Sequence, residues 1–393
     1  MYLDFSYYTP TKVVFGRDAE AQVGELVRAE GCKKVLLHYG SGSAVRTGLL
    51  GRIEAAMESA GVSCVTLGGV VPNPRLSLVY KGIDLCKREG VDFILAVGGG
   101  SVIDSAKAIA YGVANEGDVW DFFTGVREPR ACLGVGVVLT IAAAGSEMSC
   151  GSVITREEGQ LKRACDCDLS RPRFAVMNPV LTMTLPAYQT ASGAVDIMMH
   201  TMERYFNRSD NMAITDAISE GLLRTVMCYT RVLMTEPDNY EARAEVMWAG
   251  SLAHNGLTGC GTGGGDWSCH NMEHEIGGLF DVAHGAGLAA VWGSWARYVW
   301  KAAPHRFESF ARNVMGVTPG ETQAETVEKG IAAMEQFYRD IHMPTSMTEL
   351  GITPTDAQIR HMAESCTEAS GGATGCVIAL STEDLVNIYT AAK

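Results

Sequence analysis

The residues best suited to chemistry lie between positions 196 and 284. They are Asp196-Ile-Met-Met-His200, His270-Asn-Met-Glu273-His274-Glu275 and Val282-Ala-His284-Gly285. On a helix, residues four apart share a face. Asp196 and His200 therefore point the same way, and so do His270 and His274. His284 stands beside a glycine, where a helix begins or a turn ends. A lone histidine is ordinarily a surface group or a satisfied core group. Two spaced pairs and a further histidine in one window make a plausible ligand set for a borderline or moderately hard divalent cation.

These residues need a scaffold, and the chain changes character just before them. Short apolar runs at 11–15, 33–39, 63–67, 92–97, 135–139 and 174–177 alternate with helix-periodic stretches at 19–29, 49–60, 76–89 and 102–113. That alternation predicts a parallel sheet covered by helices on both faces. After Leu185-Pro186 the strand signals nearly vanish. Residues 191–207, 213–234, 239–255, 285–301 and 321–339 have helical periodicity instead. The expected architecture is α/β plus all-α. A doubly wound parallel-sheet dinucleotide-binding domain spans 1–182, and an all-helical metal-binding domain spans 183–393. A cleft between domains is the preferred place for a small-molecule site.

Two glycine-rich loops fall at strand-to-helix junctions, Gly40-Ser41-Gly42-Ser43 and Gly98-Gly99-Gly100-Ser101. Glycine admits close approach of backbone to phosphate, and the following helix supplies free N–H groups. Neither is a full GxGxxG, but two on one sheet point to a nucleotide beyond the carboxyl ends of the strands. Asp104 either caps the helix after Gly100 or binds a ribose or amide. A third loop, Thr140-Ile-Ala-Ala-Ala144-Gly-Ser-Glu147, has small residues suited to a flat group.

The net charge of -13 argues against nucleic acid or an anionic membrane surface as the main partner. No basic segment leads an apolar one near Met1, and the longest apolar run, 131–145, is too short and glycine-rich to span a bilayer. The twelve cysteines contain no CxxC pair, so they read as reduced thiols of a cytoplasmic protein. Trp248, Leu252, Trp267 and Phe280 read as core packing or as a pocket wall.

A phosphate-binding half joined to a metal-binding half implies a nucleotide-dependent reaction at the metal. Hydride transfer fits, because a cation polarises the reacting oxygen and a nicotinamide carries the hydride. Phosphoryl transfer fits less well. There is no GxxxxGK[ST], and histidine-rich ligation suits Mg²⁺ poorly.

Taken together, these motifs resemble the group III, iron-containing alcohol dehydrogenases. The resemblance rests on Gly98-Gly-Gly-Ser-Val-Ile-Asp104-Ser-Ala-Lys107, Pro72-Asn73-Pro74, Gly145-Ser-Glu147, the Asp196/His200 pair and His270-x3-His274 with His284-Gly285. Tyr39-Gly-Ser-Gly-Ser43, Arg46-Thr-Gly48, Met247-Trp-Ala249 and Asp266-Trp267 resemble the branch of NADPH-dependent butanol dehydrogenases and aldehyde reductases. The resemblance implies reduction of small aldehydes to primary alcohols, in a homodimer, with Fe²⁺, Zn²⁺, Mn²⁺ or Co²⁺ bound by Asp196, His200, His270 and His284. It implies that His274 is a catalytic proton relay and that Gly98, Gly99, Gly100 and Ser101 cradle the pyrophosphate. Asn73, Thr140 and Lys162 would contact ribose, nicotinamide or adenine, and Gly40, Ser41, Ser43, Asp104, Ser149 and Leu181 complete the coenzyme set. The loop after the second strand carries hydroxyls, Arg46 and no carboxylate, which suits the 2′-phosphate of NADP(H). One departure stands out: the family's Thr-Thr-Ala-Gly-Thr-Gly-Ser-Glu loop has Ile141 and Ala144 where hydroxyls would stand.

Two alternatives use the same residues. His270-Asn-Met-Glu273-His274 fits HxxEH, in which both histidines bind zinc and the glutamate activates water. In the dehydrogenase reading Glu273 is dispensable. A metal- and NAD-dependent synthase or lyase on the same scaffold would call for extra basic groups near the ligands.

Overall fold

The computed structural model describes every residue except 1–3, 41, 210 and 211. The chain divides into two compact units, Thr9–Thr184 and Leu185–Lys393, with residues 4–8 grouped with the second.

The first unit holds eight strands: β1 (Lys12–Phe15), β2 (Lys34–Gly40), β3 (Ser63–Val70), β4 (Phe93–Gly98), β5 (Gly134–Leu139), β6 (Gly151–Arg156), β7 (Leu161–Asp166) and β8 (Phe174–Met177). Six form a parallel sheet in the order β1-β8-β5-β4-β2-β3. Its central strands are near-continuous apolar runs because helices cover both faces. Phe93-Ile-Leu-Ala-Val-Gly98 is buried at every position. The helices are α1 (Val23–Ala29), α2 (Ser43–Arg46), α3 (Leu49–Ser59), α4 (Leu76–Glu89), α5 (Gly100–Ala114) and α6 (Trp120–Phe123). β2 pairs with β3 on one side and β4 on the other, with Val35 opposite Phe93. Strand order therefore reverses between β2 and β4, and the two glycine loops leave the carboxyl ends of these neighbours, where open α/β sheets bind ligands.

One element has no counterpart in the sequence-based expectation. β6 and β7 form an antiparallel hairpin with Ser152 opposite Cys165. Cys165 lies on β7 and is buried.

The second unit is helical: α7 (Ala187–Tyr205), α8 (Ala213–Thr235), α9 (Tyr240–His254), α10 (Ser268–Phe280), α11 (His284–Val299), α12 (Pro304–Ser309), α13 (Gln323–Asp340), α14 (Asp356–Ala369) and α15 (Thr382–Ala391). α7 is its central member, with every residue from 190 to 205 buried. Polar side chains on such a helix must find partners inside the protein. No described helix is long and apolar enough to cross a membrane.

Candidate metal centre

α7 presents Asp196, His200 and Glu203 at successive turns of one face. α10 brings in His270 and Glu273, three apart on one face, and α11 begins at His284. The result is a tight group. Asp196 Oδ1 lies 3.8 Å from His270 Nε2 and 3.7 Å from His284 Nε2. Ligand atoms of Asp196, His270 and His284 all fall within 4.8 Å of one another. Asp196 Oδ1 and His270 Nε2 are buried without a hydrogen-bond partner among the described residues. Buried polar atoms are normally satisfied, so two converging lone-pair atoms left open suit a cation. A carboxylate and imidazole nitrogens are the donor set a divalent transition metal takes.

His200 stands beside this group. Its Nδ1 lies 2.9 Å from the Asp196 carbonyl oxygen and 3.1 Å from Asp196 Oδ1, outside the mutual 4.8 Å set. His274 is half-buried one turn beyond His270, its ring centroid 6.0 Å from that of His284, and it too lies outside the set. Two carboxylates hold the ligand rings from behind. Glu203 Oε1 accepts from His270 Nδ1 at 3.1 Å and from its backbone N–H at 2.9 Å, and Glu273 contacts His284 Nδ1. This arrangement disfavours the HxxEH reading, which needs His274 among the ligands and Glu273 turned to a water.

The protonation pattern follows from burial and neighbours. Burial opposes charge on Asp196, yet His200 and His284 hold its carboxyl well below the ordinary range. Burial also opposes charge on His270, but the adjoining Asp196 and Glu203 carboxylates push it up to about 9, so a cation that takes the Nε2 lone pair displaces a proton. His200 goes the other way, lowered to about 4 by burial despite Asp196.

Two neighbours, His254 and Arg204, carry no motif and are not legible in the sequence, whereas Trp267 is the expected wall residue. The His254 ring lies 4.0 Å from that of His200, and Arg204 Nη2 is 3.1 Å from His254 Nδ1. Arginine only donates, so His254 Nδ1 accepts and its proton sits on Nε2. The Trp267 ring packs edge-on 5.3 Å from His270 and 6.0 Å from His200. It walls the histidine cluster.

In the first unit, Gly98 ends β4 and Gly100 opens α5, which offers its N–H groups beside Ser101. A β-carbon at Gly99 would sit 3.0 Å from Ile141, and one at Gly100 would sit 3.0 Å from Ala144. The two residues that depart from the family's hydroxyl-bearing loop therefore pack directly on the glycine loop. The Thr140 N–H donates to the Gly98 carbonyl at 3.0 Å and stitches these loops together. Asn73 is buried with left-handed backbone, φ 54°. Lys162 is buried on β7. Gly40 ends β2, exposed Ser43 opens α2, and Ser41 lies outside the described residues. Arg46 Nη1 folds back to 3.0 Å from where a β-carbon at Gly42 would stand.

Three expected coenzyme contacts have internal roles. Asp104 does not cap α5, whose first turn has no side-chain cap. Its carboxylate accepts from Ser146 Oγ at 2.6 Å and the Val153 N–H at 3.0 Å. The Ser149 carbonyl accepts from the buried Lys107 ammonium at 3.0 Å. Leu181 packs against the apolar core under the sheet.

Comparison with known proteins agrees over the whole length. Residues 10–179 match the iron-containing alcohol dehydrogenase family, and residues 190–393 match the C-terminal domain of that family. The chain is 38% identical to NADH-dependent butanol dehydrogenase A of Clostridium acetobutylicum, covering 98% of this chain and 99% of that protein. It is 35% identical to the NADPH-dependent aldehyde reductase YqhD of Escherichia coli over 89% of each. The crystal structure of NADH-dependent butanol dehydrogenase A from Thermotoga maritima superposes with a TM-score of 0.95 at 38% identity, covering 99% of this chain and 98% of that one.

Proposed function

Because the chain belongs to the iron-containing alcohol dehydrogenase family, we propose that it reduces small aldehydes to primary alcohols with NADPH and runs backward at high alcohol. One observation carries the metal-dependent part of this reading: the buried convergence of Asp196, His270 and His284, with open lone pairs on Asp196 and His270. Asp196, His200, His270 and His284 hold Fe²⁺ or Zn²⁺, with Mn²⁺ or Co²⁺ as substitutes set by availability. The bound groups supply polarisation of the carbonyl oxygen by the cation and hydride from the nicotinamide.

The chain's own residues do the rest. The backbone at 98–101 cradles the pyrophosphate, and Asn73, Thr140 and Lys162 orient the coenzyme around it. Trp267 keeps water from the histidine cluster. His274, half-buried beside His284, supplies the proton that completes the alcohol. The preference for NADPH rests on the loop after β2, where no carboxylate stands to repel a 2′-phosphate and Arg46 folds over Gly42. The relatives are named for both coenzymes, NADH in the butanol dehydrogenases and NADPH in the aldehyde reductase.

Elemental analysis of the purified protein, coupled to NADPH oxidation across a short aldehyde series, tests this. About one transition metal per chain and turnover of short aldehydes are expected. Full activity in metal-free protein would overturn the ligand assignment. Equal or higher kcat/KM with NADH would overturn the coenzyme preference alone.

A further inference from the structure

The two carboxylates behind the centre form a chain of supports that the ligand residues do not explain. Glu203 is on α7 and reaches His270 on α10. Glu273 is on α10 and reaches His284 on α11. α7 and α10 thus each present a ligand to the centre and a carboxylate to the imidazole of the next helix. We propose that Glu203 and Glu273 are the positioning residues of the metal centre, fixing His270 and His284 with the proton on Nδ1 and the Nε2 lone pair turned to the cation. The inference rests on the metal-dependent reading above.

A neutral imidazole has one donor nitrogen and one acceptor nitrogen, and the partner of one decides the role of the other. A carboxylate accepts only, so Nδ1 of each ring must donate to it. That leaves Nε2 as the lone pair, and both Nε2 atoms face Asp196 Oδ1, at 3.8 and 3.7 Å. The same device orients ligand histidines at metal sites generally and raises their basicity. Glu203 does a second task. The N-cap of α10 is Trp267, in left-handed conformation and without a side-chain cap, and Glu203 replaces it by accepting the His270 N–H at 2.9 Å. Glu273 is fully buried, and Gly287 on α11 makes room for it: a β-carbon there would lie 2.9 Å from Glu273 Cγ. With Asp196, the two glutamates make three buried carboxylates at the centre, and a divalent cation offsets most of their charge.

The test is Co²⁺ binding to metal-stripped protein, read by visible absorption and by competition with a chelator. Variants are E203Q, E273Q and the charge-retaining E203D and E273D. Thermal melts of the metal-free proteins serve as the control on folding. The unaltered chain should take up one Co²⁺. Each glutamine variant should bind it about 10- to 100-fold more weakly, with a shifted absorption band and a metal-free melt close to that of the unaltered chain. The aspartate variants should recover part of the affinity and remain informative if a glutamine variant unfolds. Unchanged Co²⁺ affinity and spectrum in the glutamine variants, or in the aspartate and glutamine variants alike, would reduce both glutamates to structural caps and overturn the inference. Failure of the unaltered chain to bind Co²⁺ would overturn the metal-dependent reading itself, and the inference with it.

Discussion

The backbone carbonyl of Ser192 on α7 occupies the space a side chain at position 285 of α11 would need: a β-carbon on Gly285 would lie 1.9 Å from that oxygen. His284 precedes this contact directly. α11 therefore brings His284 to within 3.7 Å of Asp196 because the next residue has no side chain. Backbone cannot yield as a flexible side chain does. Gly285→Ala should separate the helices, cost about 3 kcal/mol of stability and release the metal. Elemental analysis and thermal melting read the two effects. A variant that melts normally and keeps its metal would refute the argument.

Ligand and relay residues should part company on mutation. Asp196→Asn removes the atom that faces both His270 and His284, and should leave the protein metal-free with activity down at least ~100-fold. His274→Ala should keep the metal and lower kcat by about 100-fold, because His274 lies outside the ligand group. Loss of metal from the His274 variant would make it a ligand and revive the HxxEH alternative.

Lys107 is buried with its ammonium donating to the carbonyls of Ser146, Ser149 and Gly151 at 2.8, 3.0 and 2.7 Å, and to Ser146 Oγ at 3.0 Å. Burial lowers its pKa, with Asp104 as the leading opposing charge. Lys107→Met keeps the length but abandons three buried carbonyls, and should cost about 3 kcal/mol or more. The loop it ties down follows Thr140, so coenzyme affinity should weaken as well. Thermal melting and NADPH fluorescence titration measure both. An unchanged melting temperature would show that water satisfies those carbonyls.

Much of this was legible in the residues. Buried parallel strands such as 92–97 declare themselves as unbroken apolar runs, and the helices of the second unit have clear periodicity. The i,i+4 pairs named the right neighbourhood because helix geometry alone sets their face. The β6–β7 hairpin was not legible, since its strands mix charged and small residues with no period of two. α14 and α15 went unread although Thr355 with Gln358 and Ser381 with Asp384 form capping boxes. The contacts of Glu203 and Glu273 are illegible for a different reason. Their partners sit on other helices, at separations of 67 and 11 residues, and no local spacing encodes such a contact. That contact argues against the expectation that Glu273 is dispensable. Asp104 shows the converse case, where a motif residue turns inward to Ser146 and Val153.

His38 makes the fold sensitive to acid independently of the metal. It is wholly buried on β2, where Nδ1 donates to the Leu67 carbonyl at 2.8 Å and Ser105 Oγ donates to Nε2 at 2.9 Å. Burial pushes its pKa down from 6.5 to about 4. The folded value lies below the unfolded one, so the stabilising contribution is complete above pH 6.5 and is lost as pH falls toward 4. Over that window the unfolded chain takes up a proton that the folded chain refuses, which costs about 3 kcal/mol. His38→Asn keeps a donor near the Leu67 carbonyl and removes the titrating group. Its melting temperature should start lower at pH 7 but fall less steeply between pH 6.5 and 4 than that of the unaltered chain. Parallel slopes for the two proteins would show that other groups govern the acid limb.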